Sequence, residues 1–71
     1  MAKFMYYRLE HFPEEAVPIG QVHGVVGDRT RTIVVYQIGE DYLAAYWANG
    51  VNYRTPTLNR QDADDILAGM V

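Results

Sequence analysis

The sequence predicts an α+β fold in which an antiparallel sheet of four to five strands carries one C-terminal helix packed on one face. Three observations predict it. Short runs of β-branched and aromatic residues alternate between two faces, Asn49-Gly50 joins two such runs as a tight hairpin, and the end of the chain is one amphipathic helical segment. With 71 residues, the chain is predicted to be a single small domain spanning 1–71.

The predicted strands follow one another with short connections. They are residues 3–10, 19–26, 30–38, 42–48 and 51–55. Residues 32–36 give the strongest strand pattern, because all are β-branched or aromatic. Gly20 and Gly24 weaken the second strand, since glycine there often marks a bulge or a close approach. Residues 11–18 are the one longer connection, in which Pro13 is expected to open a single helical turn.

The fourth and fifth predicted strands form a hairpin with two apolar faces. Asn49-Gly50 favours a type I′ turn, which needs positive φ at both central residues. In the fourth strand one face has Tyr42, Ala44 and Tyr46, and the other has Leu43, Ala45 and Trp47. In the fifth strand Tyr53 alternates with Arg54.

The last segment has the signals of a helix start. Asn59 is a good N-cap residue, Asp62 completes a variant of the capping box, and Leu58 can pack against Ala63. The apolar stripe is Ala63, Ile66, Leu67 and Met70. We expect a helix of about eleven residues, roughly 16 Å long.

This helix is too small to cover all the apolar side chains of the predicted sheet. The sequence is 49% hydrophobic and 13% aromatic and includes six tyrosines. A five-stranded sheet is about 24 Å wide, and a domain of this size buries only about 60% of its unfolded surface. We therefore expect part of an aromatic surface to stay open.

Several kinds of chemistry are excluded by composition. The chain has no cysteine and no serine, so disulfides, thiolate metal sites and Cys or Ser nucleophiles are impossible. His11 and His23 are not spaced as a local metal-binding pair. Adjacent carboxylates in a turn point apart, whereas general acid–base catalysis needs two such groups that face one pocket. We expect a protein that is not an enzyme, with no catalytic residues, no cofactor and no metal.

Charge and hydropathy set further expectations. The formal net charge is -3, and the surplus lies in residues 37–71. Acidic residues near a helix start stabilise the helix by roughly 0.3–1 kcal/mol each, or they meet a basic surface on a partner.

No apolar stretch reaches the roughly 18–20 residues that span a bilayer. Since small secreted domains usually contain disulfides, we expect a cytoplasmic protein without a membrane partner.

Tyrosine and tryptophan are enriched at interface hot spots, because they supply large contact areas at low entropic cost. The predicted partner-binding residues are Tyr42, Tyr46, Trp47 and Tyr53 as contacts, with Asp62, Asp64 and Asp65 as a charged rim. The leading interpretation is a non-enzymatic protein-binding module. A concrete form is a small inhibitor, of the bacterial or phage kind, that occludes a basic, nucleic-acid-handling site on a larger host complex.

Two alternatives remain open. In the first, the same aromatic surface is buried against an identical chain, giving a homodimeric or larger structural or regulatory protein. In the second, Arg29, Arg31 and Arg54 make a small nucleic-acid-binding domain. The acidic net charge disfavours direct binding of nucleic acid, because such affinity depends on a surplus of cations.

Overall fold

Five strands and one helix occur in the predicted order in the computed structural model, which describes residues 4–71. The elements are β1 (Tyr7–Leu9), β2 (Val17–Val26), β3 (Arg29–Ile38), β4 (Asp41–Ala48), β5 (Val51–Arg54) and α1 (Arg60–Leu67). The predicted α+β class is confirmed, with a five-stranded antiparallel sheet and one C-terminal helix packed against it.

The strands lie in the spatial order β1-β5-β4-β3-β2, and every neighbouring pair is antiparallel. Strands β2 to β5 are joined by successive hairpins, so each pairs with the next one along the chain. Strand β1 is different, because it pairs with β5 at the far edge from β2. Residues 10–16 must therefore carry the chain from one edge of the sheet to the other.

Helix α1 packs against β2, β3 and β4 on one side of the sheet, which we call the helix face. The core between them contains Ile33, Val35, Tyr42, Ala44, Leu58, Ala63, Ile66 and Val71. The opposite side of the sheet, which we call the second face, has no helix on it among the described residues. The molecule measures 32 × 26 × 17 Å, and the short dimension fits one sheet and one helix layer.

Residues with positive φ form the hairpin turns. Asn49 and Gly50 have φ of 53° and 79°, which confirms the predicted type I′ geometry. Gly27, with φ of 67°, opens the two-residue turn between β2 and β3. An L-residue at this position would be strained, so glycine is required there.

The first strand is shorter than predicted. Residues 3–10 were expected to be extended and paired, but only Tyr7–Leu9 pairs with β5; residue 3 lies outside the described residues. The physical reason is the partner strand, because β5 ends at Arg54 and Pro56 follows two residues later. Proline cannot donate to a sheet ladder, so β1 has no partner to extend along.

The helix begins where the sequence predicts and ends earlier. The Asn59 side chain accepts a hydrogen bond from the Asp62 amide at 2.8 Å, which confirms the N-cap. The helix ends at Leu67 instead of continuing to Met70, because Gly69 takes a φ of 100° and stops the chain in a left-handed cap. Met70 is consequently exposed, and Val71 fills the core position expected for it.

The connection from β1 to β2 also differs from prediction. Instead of a helical turn, residues 13–16 make one hydrogen-bonded turn, in which the Ala16 amide donates to the Pro13 carbonyl. Strand β2 starts at Val17, earlier than expected, and it includes Pro18. Pro18 is tolerated because β2 is an edge strand with a bulge between Pro18 and Gly20.

Candidate protein-binding surface

Trp47 is the most exposed aromatic residue of the described chain, with 65% of its surface open to solvent. It lies on the second face, because Ala44 is in the core and side chains alternate along β4. Leu43 shares this face but is fully buried. Its cross-strand partner Tyr36 is in edge contact with Phe12 at 4.7 Å. The 10–16 connection thus covers one end of the second face and leaves the Trp47 end open.

A shallow depression lies beside Trp47. Strands β3 and β4 pair only from Val34–Ala45 to Ile38–Asp41. Beyond Val34 and Ala45, β3 continues with β2 and β4 continues with β5, so the two hairpins separate. The depression between them has a volume of about 390 Å³. The residues that line it are Thr30, Arg31, Thr32, Val34, Tyr36, Ala45, Tyr46, Trp47 and Asn52.

The predicted tyrosines are on the helix face of their strands, and Tyr46 also lines the depression beside Trp47. Tyr46 stacks on its cross-strand neighbour Tyr53, with ring centroids 5.1 Å apart, and contacts Tyr6 at 5.2 Å. Burial, with a smaller contribution from Tyr46, raises the pKa of Tyr6 to about 12. These rings are partly buried and extend the core packing of the helix face.

Tyr42 is not available as a contact residue. Only 7% of its surface is exposed, because it is packed in the core and its backbone is paired with Leu58 in an isolated bridge. The position at the start of β4, directly under the helix entry, explains this burial. Tyr42 is therefore a core residue and not part of the candidate surface.

The acidic residues lie on α1, on the side of the sheet away from Trp47. Asp62 is in the first turn, where its amide is capped by Asn59. Asp64 is exposed and forms an ion pair with Arg60 at 3.7 Å. Asp65 accepts a hydrogen bond from Gln61 at 3.0 Å. These carboxylates therefore cannot be a rim around Trp47.

The three arginines of the nucleic-acid alternative are also divided. The Arg31 guanidinium lies over the Tyr46 ring at 5.5 Å, and its Nε is buried. Arg29 is exposed at the β2–β3 turn. Arg54 lies on the second face, over the Tyr7 ring at 5.8 Å, and its Nε donates to the Thr55 carbonyl at 2.8 Å.

Neither a cluster of metal-binding side chains nor a helix able to span a membrane is found among residues 4–71. No group of three or more His, Asp or Glu side chains is placed to hold a metal ion in this part of the chain. His23 instead lies with its Nδ1 3.1 Å from Thr32 Oγ1. No helix in the same part is long and apolar enough to cross a bilayer.

Comparison with protein-family models, with curated proteins and with solved structures gives no match for this chain. The assignment of this surface as a binding site is therefore supported by its geometry alone.

Sequence reasoning missed the residues that surround Trp47. Thr30, Thr32 and Asn52 are short polar residues that carry no functional signal by themselves. The alternation along β4 does separate Trp47 from Tyr42 and Tyr46, so the sequence contained the signal that the predicted contacts belong to two surfaces. Tyr7 shares the second face with Arg54 and is 45% exposed.

Proposed function

We propose that this chain is a non-enzymatic, cytoplasmic protein-binding module that contacts its partner through the second face of the sheet, with Trp47 as the central anchor. In its most specific form it is a small bacterial or phage inhibitor that occludes a basic site on a larger complex. The observation that carries the proposal is the exposure of Trp47 beside an open depression. A large exposed aromatic side chain beside a concavity is typical of interaction sites.

The chemistry around Trp47 suits a basic side chain of the partner. Indole is the best ring for a cation–π contact with Lys or Arg. Thr30 and Asn52 line the same depression, and a threonine hydroxyl or an asparagine amide oxygen can accept a hydrogen bond from a guanidinium or ammonium group. Arg31 also lines the depression, with its guanidinium over the Tyr46 ring. A partner arginine or lysine over Trp47 would use both features.

The acidic residues then act at longer range. A net charge of -3 raises the rate of encounter with a basic protein and orients its approach. Asp62, Asp64 and Asp65 contribute to this field from α1 without touching the partner at Trp47. The predicted contacts therefore have two roles. Trp47 binds the partner, and the acidic residues of α1 attract and orient it during its approach.

The test is a comparison of Trp47→Ala with Met70→Ala, a matched truncation of an exposed apolar residue at the other side of the molecule. Each variant is immobilised, proteins of the native host lysate are captured, and the retained proteins are quantified. Proteins that the parent and Met70→Ala retain should be lost by about tenfold or more with Trp47→Ala, as for a hot-spot residue. Equal retention by all three proteins would overturn the proposal.

A second candidate function is supported by one contact. The Arg54 guanidinium lies over the Tyr7 ring, 5.8 Å from its centroid, on the same face as Trp47. Single-stranded nucleic acids bind to surfaces that combine cations with stacking aromatics.

Fluorescence anisotropy with a labelled single-stranded oligonucleotide at physiological salt tests this candidate. If it is correct, Arg54→Ala weakens binding several-fold, whereas Arg60→Ala on the helix leaves it unchanged. No binding by the parent at that salt concentration would exclude nucleic acid as the ligand, because the proposed site would lack the affinity that cations supply.

A further inference from the structure

Strand β2 is a long open edge of the sheet. It has ten residues and lies outermost, whereas the opposite edge, β1, has three. An edge strand presents unpaired backbone N–H and C=O groups, which are a template for pairing with another chain. Among the described strands, only β3 pairs with β2.

The hairpin geometry shows which backbone groups face outward. Residues 27–28 form a two-residue turn that makes Val26–Arg29 the closing pair, and the closing pair of such a turn is hydrogen-bonded. Hydrogen-bonded and non-hydrogen-bonded pairs then alternate along an antiparallel ladder. The amides and carbonyls of Gln21, His23 and Val25 therefore point away from β3 toward the open edge.

Six of the ten residues of this edge, 21–26, have no protection against pairing. Natural edges are blunted by charges, prolines or bulges, and β2 has Pro18 and a bulge only near its beginning. From Gln21 to Val26 there is no proline, no bulge and no charged residue. Val25, which lies in this segment, has 52% of its surface exposed to solvent.

We propose that residues 21–26 pair antiparallel, about a twofold axis, with the same residues of a second copy of this chain. A twofold axis brings a segment against itself, so a charge close to the axis would lie near the same charge of the second copy. All Lys, Arg, Asp and Glu residues of the sequence lie outside 17–26. A basic partner, in contrast, would find no carboxylate on this edge, which favours a second copy as the occupant.

The dimer is independent of the proposed function, because the edge of β2 and Trp47 are different surfaces. Pairing at β2 joins two five-stranded sheets into one continuous sheet, with both helices on one side and both Trp47 residues on the other. The contact is short, so we expect a weak, concentration-dependent dimer, because weak and transient complexes are found at the small end of the range of interface sizes.

Sedimentation over a range of concentrations tests the proposal with a pair of variants at one position. His23→Pro removes an outward amide without removing a hydrogen bond to β3, and proline is tolerated on an edge strand. His23→Ala keeps the amide. We expect the parent and His23→Ala to show the same monomer–dimer equilibrium, and His23→Pro to weaken it by tenfold or more. Val25→Lys, which places a charge at the twofold contact, should do the same while circular dichroism stays unchanged.

Amide hydrogen exchange in the parent protein gives a second measurement that does not depend on any variant. At high protein concentration the amides of Gln21, His23 and Val25 should exchange more slowly than at low concentration. A monomer at every concentration would overturn the proposal. A dimer that His23→Pro and Val25→Lys leave intact would also overturn it, and if Trp47→Ala dissolves that dimer, the copies meet through the second face instead.

Discussion

At the scale of single residues, Thr55 shows how one hydroxyl group closes the sheet where backbone pairing ends. Its side chain is fully buried. The Ala44 amide donates to Thr55 Oγ1 at 3.1 Å, and the hydroxyl donates to the Pro56 carbonyl at 2.9 Å. The hydroxyl therefore takes the place of a backbone carbonyl beside the end of β5, where the chain turns toward the helix.

Replacing Thr55 with valine tests this role. Thr55→Val keeps the shape of the side chain but leaves the buried Ala44 amide without an acceptor, which costs about 1–3 kcal/mol. Urea denaturation followed by circular dichroism should show this loss in the free energy of unfolding. Thr57→Val, at an exposed position, is the control and should change it little. Equal effects of the two substitutions would contradict the assigned role of the hydroxyl.

Local chemistry made some residues predictable. The Asn49-Gly50 turn and the Asn59 cap depend on backbone geometry within a few residues. Local residue types therefore predict both features, and the structure confirms them. The burial of Tyr42 was not predictable in this way. It depends on where the chain after β5 crosses the sheet, and no residue near Tyr42 in the sequence indicates that.

At the scale of elements, two glycines of β2 determine how closely α1 and the C-terminus approach the sheet. A methyl group added at Gly20 would be 2.8 Å from Leu67 Cδ2, and one added at Gly24 would overlap the Val71 side chain. The sequence indicated a close approach at these positions, and the structure identifies what approaches. Both glycines are therefore explained by packing on the helix face.

Gly24→Ala and Gly20→Ala should differ in cost. Leu67 can turn its flexible end away from a new methyl group, whereas the Val71 overlap includes the branched carbon near its backbone. We expect Gly24→Ala to lower the free energy of unfolding by about 1–3 kcal/mol, as for an overpacked core, and Gly20→Ala to lower it less.

A double-mutant cycle with Val71→Ala identifies the cause. If the overlap is the source of the loss, the two substitutions should be coupled, and the double variant should be more stable than the sum of the single effects predicts. Additive effects measured by the same denaturation experiment would show that Gly24→Ala acts through the strand and not through Val71.

The lengths of the elements were predictable only where a local signal ends them. The predicted bounds of β3 and β4 were within one residue of the structure, because glycine turns stop both strands. Strand β1 was predicted too long, since its length is set by β5, which is distant in sequence. The helix was predicted too long because its apolar stripe continues past Gly69, and the glycine decides the end.

At the scale of the whole molecule, the fold class and the excess of aromatic surface follow from composition and periodicity. Composition and periodicity do not show whether the predicted contact residues lie on one surface. Tyr46 and Tyr53 pack on the helix face, Trp47 lies on the second face, and the acidic residues are on α1. The helix covers one face, at the positions where Gly20 and Gly24 allow a close approach. The 10–16 connection covers one end of the other face, which leaves the end at Trp47 open.

The pairing of β1 with β5 has a consequence for the order of folding. Strands β2 to β5 and α1 can assemble from neighbouring segments, but Tyr7 meets Arg54 only after a long loop has closed. During synthesis, β1 is made before the other strands of this sheet and has to wait for β5, the last of them. Until β5 emerges, the aromatic segment around Tyr7 has no strand to pair with.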